Sequence, residues 1–266
     1  MAIKHSFKLP MRGAQEFWQH KIQLSPGQFA KLSSEAKLFS FAISGIAKGD
    51  ELATAFDAIK SAIDNGDSFS TFQKQCGDIF EKRGWVGKRA WRVDNIFRTN
   101  IQTAYNVGRY KQLQEEKDIF PYWMYDAVND SRTRPTHLAM DGKVFAADHP
   151  VWNTWYPPNG YRCRCSVSPL TAGQVKSRKL KVEEKDPTNT LVTPKDPVSG
   201  NEALPRQLLP DPGFKHHSGK VFSQSLDLVL KDKIESWPAG PSTKAMEEIR
   251  ELLKSKGSIH DKSATT

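Results

Sequence analysis

Residues 122–168 read YWMYDAVNDSRTRPTHLAMDGKVFAADHPVWNTWYPPNGYRCRCSVS, and this stretch decides the fold class. Aromatic and apolar residues at 122–128 predict a strand, and the Asn129-Asp130-Ser131 segment after it is a turn signal. Further short strands are predicted at 143–145 and 162–168. Three short strands separated by loops predict a small, loop-rich core of the α+β class.

Glycine and proline place the loops of this core. Asp141-Gly142 is a hairpin signal that stands directly before the second strand. Two prolines exclude both helix and sheet interior from Tyr156-Pro157-Pro158-Asn159-Gly160, so this segment is expected to be irregular.

The preceding half of the chain carries apolar residues at helical spacing. Ser25-Pro26-Gly27-Gln28 combines a capping box with a proline at the first helical position, which predicts a helix that runs through Phe41. The next helix should end at Asn65-Gly66, because glycine accepts the left-handed conformation at a helix end. One face of that helix carries Leu52, Phe56, Ile59 and Ile63.

Two more helices are predicted before residue 118. Ser70 and Gln73 form another capping box, and Cys76 lies on the apolar stripe of the helix that follows, where we expect a buried and inert thiol. A longer helix is predicted from about Val86 to Glu116. Ala104 and Gly108 are four residues apart in it, so another helix could approach this face closely.

Basic side chains decorate the same long segment. We predict that Lys88, Arg89, Arg92 and Arg98 form a ridge that binds DNA phosphates. The alternative is that these residues are the solvated face of an amphipathic helix. A formal net charge of +9 and a pI near 9.4 also favour polyanionic partners, although a basic surface serves solubility equally well.

After Thr171 the chain becomes polar and contains many prolines, which predicts an extended arm. Short helices are expected within it, one from Val221 to Ile234 and one from Met246 to Leu253. His216-His217 is expected to lie in a solvent-exposed loop. The predicted architecture is therefore a helical domain at 1–118, a small α+β core at 119–172 and an extended arm with C-terminal helices at 173–266.

Composition narrows the cellular setting. The 266 residues contain no apolar run of the roughly 18 residues that a membrane span needs. The first residues lack the apolar stretch of a secretory signal, so we expect a protein made and kept in a reducing cytoplasm. Three cysteines agree with that setting, because secreted disulfide scaffolds contain more.

Histidine and cysteine residues of the core indicate a metal site. Two thiolates and an imidazole are ligands that zinc prefers, so we predict a structural zinc ion held by His137, Cys163 and Cys165, with His149 or Asp130 as the fourth ligand. A small core gains much from such an ion. The alternative is that the thiols pack in the core while His137 makes ordinary hydrogen bonds.

Catalytic interpretations of the same segment are weaker. Asp148-His149 with Asn153 or Asn159 faintly resembles a histidine–metal nuclease, and Cys163 with His137 could be drawn as a nucleophile pair. Neither pattern supplies the further groups that such chemistry needs, and the sequence has no phosphate-binding loop or dinucleotide fingerprint. Arg132 and Arg134 could bind phosphate or an acidic partner, or form local salt bridges.

An ordered series of motifs resembles the phage Mu F-like head morphogenesis family. The series comprises Phe97-Arg98-Thr99-Asn100, Ala104-Tyr105-Asn106, Gly108-Arg109-Tyr110, Asp130-x-Arg132-Thr133-Arg134-x-x-His137, Asp141-Gly142-Lys143-Val144-Phe145, Pro150-Val151-Trp152, Pro157-Pro158-Asn159-Gly160, Cys163-Arg164-Cys165 and Asp211-Pro212-Gly213-Phe214.

The resemblance implies a minor head protein of a tailed bacteriophage, without enzymatic activity. Members of that family associate with the portal or the capsid interior, so the expected partners are the portal protein and the major capsid protein. The expected location is the virion head, after assembly in the host cytoplasm. Some members are thought to bind DNA without sequence preference or to leave with the genome. Two alternatives therefore stay open, a packaged DNA-binding protein and a metal-dependent nuclease.

Overall fold

The protein is described here by a computed structural model, which covers residues 11–47, 49–196 and 198–223, without the side chains of Ser34 and Glu35. The chain divides into two compact units. The first comprises residues 15–93 and 221–223 of this range, and the second comprises residues 11–14 and 94–220. The predicted helix at Met246–Leu253 lies outside the described residues, as does the end of the one before it.

The first unit is mainly helical and contains one small parallel sheet. Its elements are α1 (Arg12–Gln19, which begins in the second unit), β1 (Ile22–Gln23), α2 (Pro26–Ala30), α3 (Ser34–Leu38), β2 (Ser40–Phe41), α4 (Gly49–Asn65), α5 (Phe69–Gln75), α6 (Gly77–Lys82) and a 3-10 turn at Gly87–Arg89. The strands β1 and β2 pair through Ile22 with Ser40 and Gln23 with Phe41.

The single helix predicted from Ser25 to Phe41 is wrong, although the capping box that begins it is confirmed. The helix ends at Ala30 because a second cap follows at once. The Ser33 hydroxyl accepts a hydrogen bond from the Ala36 backbone N–H at 3.2 Å and begins α3. Residues Ser40 and Phe41 then form a strand.

The second predicted cap is also displaced. Ser68, not Ser70, caps α5 by accepting a hydrogen bond from the Thr71 N–H at 3.2 Å. The helix breaks at Cys76, which is fully buried as expected, and α6 begins after it. The predicted stop of α4 is confirmed, since Gly66 has a positive φ of 74°.

The long helix α7 (Trp91–Glu115) starts in the first unit and belongs to the second from Asp94 onward. It starts five residues later than predicted, because the chain at Gly87 adopts a positive φ of 55° and forms the 3-10 turn. The close approach predicted at Gly108 is confirmed. A Cβ atom at Gly108 would lie 2.6 Å from the backbone nitrogen of Ala14, so no larger residue fits this crossing.

A three-stranded antiparallel sheet forms the centre of the second unit. The central strand β3 (Tyr122–Asp126) pairs with β4 (Val144–Ala146) on one side and β5 (Ser166–Leu170) on the other. Trp123 and Tyr125 of β3 are fully buried, whereas their neighbours are partly exposed. The α+β class and the three strands are therefore confirmed, with β5 four residues later than predicted.

Short helices connect these strands. Helix α8 (Pro135–Met140) lies between β3 and β4, so Asp141-Gly142 ends a helix and is not the two-residue hairpin turn that we predicted. Helix α9 (Trp152–Trp155) ends directly before the irregular Tyr156–Gly160 segment, and α10 (Ala172–Ser177) follows β5. None of the three was predicted.

The described part of the arm is anchored on the second unit. It contains a two-stranded ribbon of β6 (Leu191–Val192) and β7 (Arg206–Gln207), and it ends with α11 (Ser218–Ser223). The expectation of an exposed loop at His216-His217 is wrong for His217. Its ring stacks on Tyr156 at 4.3 Å between centroids and is 4% exposed, because two tyrosines provide a flat apolar slot.

The predicted domain boundaries at 118 and 172 stay a prediction, since a compact unit of contacts is not the same as a domain. None of the helices in the described part of the chain has the length and apolar character needed to cross a bilayer.

Candidate metal centre

His137 is positioned by the short helix α8. Pro135 occupies the first turn of that helix, where its missing N–H costs nothing, and Arg134 before it is extended. The imidazole is 1% exposed and lies edge-on to Trp155 at 6.1 Å between centroids. The helix thus holds the ring inside the unit, against Trp155.

Cys163 and Cys165 reach the same place from the segment that leads into β5. Their two side chains point the same way, as the alternation of extended backbone requires, and each residue is 3% exposed. Arg164 between them points away and binds both carboxylate oxygens of Asp130, at 2.5 and 2.6 Å. This bidentate pair fixes the alternation that turns both thiols inward.

The distances among the three residues suit a metal ion. His137 Nδ1 lies 3.5 Å from Cys165 Sγ and 3.8 Å from Cys163 Sγ, and all three donor atoms lie within 4.8 Å of one another. Tetrahedral zinc with ordinary bond lengths separates a nitrogen and a sulfur ligand by about 3.6 Å. The buried group of His137, Cys163 and Cys165 could therefore hold a metal ion.

The electrostatics of the two thiols also favour a cation. The pKa of Cys163 is well below its usual range, chiefly because Cys165 donates a hydrogen bond to its sulfur and also because of His137, although burial opposes this shift. The pKa of Cys165 is raised, because the thiol that donates to Cys163 keeps its proton and is buried. The hydrogen bond between the two sulfurs thus favours ionisation of one thiol, and a divalent cation would favour ionisation of both.

Residues around the three ligands fix the loop that carries them. Tyr125 donates a hydrogen bond from its hydroxyl to Asn159 Oδ1 at 2.9 Å, and the backbone N–H of Asn159 donates to the Cys163 sulfur. Gln102 on α7 donates to the Cys165 carbonyl at 3.1 Å. Burial, and then the neighbouring cysteines, raise the pKa of Tyr125, so its hydroxyl keeps its proton.

The supporting roles of these residues were not predicted from the sequence. Gln102 and Tyr125 stand 63 and 40 positions away from the Cys165 that they serve, and a single sequence carries no signal for pairs so distant. Asn159 was predicted to lie in an irregular segment and was named in a nuclease-like pattern, but not as a support for Cys163. It is fully buried, and an asparagine between two prolines and a glycine was the one available hint.

The two predicted fourth ligands do not join the group. His149 uses both ring nitrogens elsewhere, since Nδ1 accepts from the Val151 N–H at 3.1 Å and Nε2 lies 3.0 Å from the Glu184 carbonyl. Asp130 binds Arg164, which holds the pKa of its carboxyl well below the usual range. Nor does Asn153 join His149, because its side-chain oxygen accepts from Lys220.

The predicted DNA-binding residues divide into two kinds. Lys88 and Arg89 are exposed on the 3-10 turn of the first unit. Arg92 has a structural role there, because its guanidinium lies 4.7 Å from the Trp85 ring centre and donates to the Ser44 carbonyl at 3.1 Å. Arg98, in the second unit, pairs with Asp94. Binding of DNA by these residues stays a prediction.

Comparison with known proteins places this arrangement in a family. Residues 54–168 match the family described as "Phage Mu protein F like protein". The chain is 40% identical over 159 residues to the "Mu-like prophage FluMu F protein" of Haemophilus influenzae, an alignment that covers 55% of this chain and 38% of that relative. No solved structure matches the chain.

A second relative aligns over more of the chain. The "Putative capsid assembly protein F" of Escherichia phage Mu is 30% identical over 196 residues, which cover 68% of this chain and 45% of the relative. The chain thus spans less than half of the length of either relative. The family match contains α7, β3, β4, the first part of β5 and all three candidate ligands, and through it residues 54–168 belong to the phage Mu protein F-like family.

Proposed function

We propose that this chain is a structural minor head protein of a tailed bacteriophage and acts in capsid assembly. The observation that carries the proposal is the 196-residue similarity to the phage Mu relative, whose name states a capsid assembly role. The expected partners are the portal protein and the major capsid protein, and the expected location is the head interior or the vicinity of the portal.

Burial around the His/Cys group supports a binding role over a catalytic one. Its three side chains are 1–3% exposed, so nothing larger than a small ion could reach them, whereas a nucleophile and its base must meet a whole substrate. The surrounding core is aromatic, and its buried members include Trp123, Tyr125, Trp152, Trp155 and Tyr156. Such packing supports a rigid body that presents its surface to other proteins.

Assembly in cells tests this proposal. The portal and major capsid proteins of the same phage would be produced with and without the full chain, and heads would be purified by sedimentation. We expect the chain to sediment with the heads, and we expect closed heads of uniform size to be fewer without it. Equal yields of identical heads in both cultures, with the chain left in the soluble fraction, would contradict the proposal.

We further propose that the metal of the His137–Cys163–Cys165 group is structural zinc. Two sulfurs and one nitrogen match the ligand preference of zinc, and the measured spacing matches its geometry. When bound, zinc would tie α8 to the segment before β5. Elemental analysis of chain purified without chelator should give close to one zinc per chain, and Cys163→Ser should lose it.

A matched variant controls this measurement. Cys76→Ser changes an equally buried thiol in the first unit, so it should leave the zinc content unchanged. Wild-type protein that is free of zinc and does not take it up on dialysis would refute the metal proposal.

A packaged DNA-binding protein remains the second candidate. The observation that favours it is an exposed basic segment in the first unit, where Lys88 and Arg89 stand beside Trp91, a tryptophan that is 56% exposed. Retention on DNA should fall steeply with salt and weaken in a Lys88→Gln/Arg89→Gln variant. A Lys176→Gln/Arg178→Gln variant, which neutralises two exposed charges elsewhere, should bind as the wild type does. Equal retention by all three proteins would exclude this segment.

A further inference from the structure

We propose that an external anion completes the metal centre, entering from an arginine-lined pocket to take the fourth coordination position. The inference rests on the metal site proposed above. It concerns the fourth coordination position of the metal, for which the described residues supply no further His, Cys, Asp or Glu ligand.

The donor set is incomplete by itself. Zinc in proteins is almost always four-coordinate, and sites with three protein ligands take a water or another small molecule in the fourth position. Within the described residues, no further histidine, cysteine, aspartate or glutamate groups with the three donors. His149 and Asp130, the two predicted fourth ligands, are engaged with other partners.

The open side of the centre faces a pocket. All three donor residues line it, together with Val128, Arg132, Thr133, Arg134, Arg162 and Arg164. Apart from the donors themselves, every charged side chain in this lining is an arginine. Apart from the donors, the charged side chains that a ligand meets in this pocket are therefore all positive.

Three of these arginines are held in place by carboxylates behind them. Arg164 binds Asp130, Arg134 binds Asp211 at 2.8 Å, and Arg162 binds Asp94 at 2.6 Å. The Tyr161 carbonyl also accepts from Arg134, at 2.8 Å. Guanidinium groups that are already fixed lose little further freedom when a ligand binds.

Arg132 is different. Its side chain is 70% exposed, and its guanidinium makes only a 3.5 Å contact with Asp130, which Arg164 already occupies. The pocket thus has four arginines against three carboxylates, and the unmatched positive charge belongs to a side chain that is free to turn. Two thiolates neutralise a divalent ion, so the arginine excess favours an anion over water at the open position.

Cobalt substitution tests the inference with the full chain. Divalent cobalt in a site with thiolate ligands gives charge-transfer absorption, and its visible bands depend on the coordination sphere. We expect cobalt-loaded protein to show the thiolate bands, and we expect azide and acetate, titrated separately, to shift the visible bands to saturation. Arg132→Gln should raise the half-saturating azide concentration by about two- to fivefold, as removal of one exposed charge does.

The possible outcomes distinguish failure of the anion inference from failure of the zinc proposal on which it rests. Absence of thiolate bands would overturn both. Thiolate bands that neither azide nor acetate changes would leave the metal site standing and overturn the anion. Arg178→Gln, an exposed arginine outside the pocket, should titrate like the wild type. An equal weakening by this control would show a general charge effect and would overturn the role of the pocket.

Discussion

Lys21 in the first compact unit and His137 in the second are both buried basic side chains, and they differ in how their nitrogen atoms are satisfied. Lys21 in the first unit is 6% exposed, and its amine donates to the carbonyls of Leu38 and Ser40 at 2.8 and 3.1 Å. His137 in the second unit is 1% exposed and has two sulfurs as the neighbours of Nδ1. Its Nε2 has no hydrogen-bond partner among the described residues.

The contrast teaches how to separate structural from ligand-binding groups. The Lys21 amine keeps two N–H donors when neutral, so its two hydrogen bonds survive in either protonation state and nothing more is needed. The His137 group instead brings together one nitrogen and two sulfur donor atoms within 4.8 Å of one another. Three buried donor atoms gathered this closely therefore indicate a ligand, whereas a buried amine with matched hydrogen-bond partners does not.

The largest effect is expected at the metal centre. His137→Ala in zinc-loaded protein should lower the free energy of unfolding by about 4–5 kcal/mol, because loss of a structural metal adds to the cavity left by the ring. Denaturant unfolding measures it. Chelator should destabilise the wild type and leave His137→Ala unchanged.

The cysteines offer a matched control for this prediction. Cys165→Ser should lose a similar free energy of unfolding and, like His137→Ala, should not be destabilised further by chelator. Chelator should destabilise Cys76→Ser as it does the wild type. A chelator effect of the same size in Cys165→Ser and in the wild type would mean that the metal binds elsewhere.

The second effect concerns Lys21 and depends on pH. Burial lowers the pKa of its amine to about 7, from 10.5 in the unfolded chain. Between these values the unfolded state binds the proton more tightly, so stability is full above pH 10.5 and falls as the pH drops toward 7. The linked change is roughly 4 kcal/mol.

Unfolding of wild type and of Lys21→Met should therefore be compared between pH 7 and 10. The difference between the two curves should slope across this range, since methionine cannot titrate. Parallel curves would show that the amine keeps an ordinary pKa and that the carbonyls of Leu38 and Ser40 compensate its burial.

The smallest effect tests whether an unpartnered ring nitrogen is enough to indicate a ligand. His217 also has a buried Nε2 without a partner among the described residues, but tyrosine rings surround it and no sulfur does. His217→Phe keeps the stacking and loses only the hydrogen bond from the Lys220 N–H, so it should cost about 1 kcal/mol. The loss should be the same with and without chelator. A loss that depended on chelator would contradict the prediction that a buried histidine without sulfur neighbours binds no metal.

The sequence predicted the donors of the centre better than their surroundings. His137, Cys163 and Cys165 could be named because soft ligands at short spacing are rare without a reason. The fourth-ligand predictions failed to join them because the partners of His149 and Asp130 depend on where the arm and Arg164 lie, which no local pattern reveals.

The fold was predictable in class and less so in detail. Strands β3, β4 and β5 follow from their apolar content, whereas α8, α9 and α10 are each six residues or shorter and carry too few turns for a periodic pattern. The end of α2 at Ala30 could not be predicted, because it depends on Ser33, a second serine cap that begins α3 soon afterwards. The burial of His217 depended on a slot between tyrosines 61 and 107 positions away.

The placement of His137 and Cys163 has a consequence for the unfolded chain. They are 26 positions apart, and the intervening residues contain β4 and α9. An ion held at both ends would close this stretch into a ring and restrict it before any strand pairs. By the chain-entropy relation for a covalent crosslink, such a ring raises the free energy of the unfolded ensemble by about 3–4 kcal/mol. A bound metal would then act as a reversible crosslink between His137 and Cys163, which forms when the ion binds and breaks when the ion is removed.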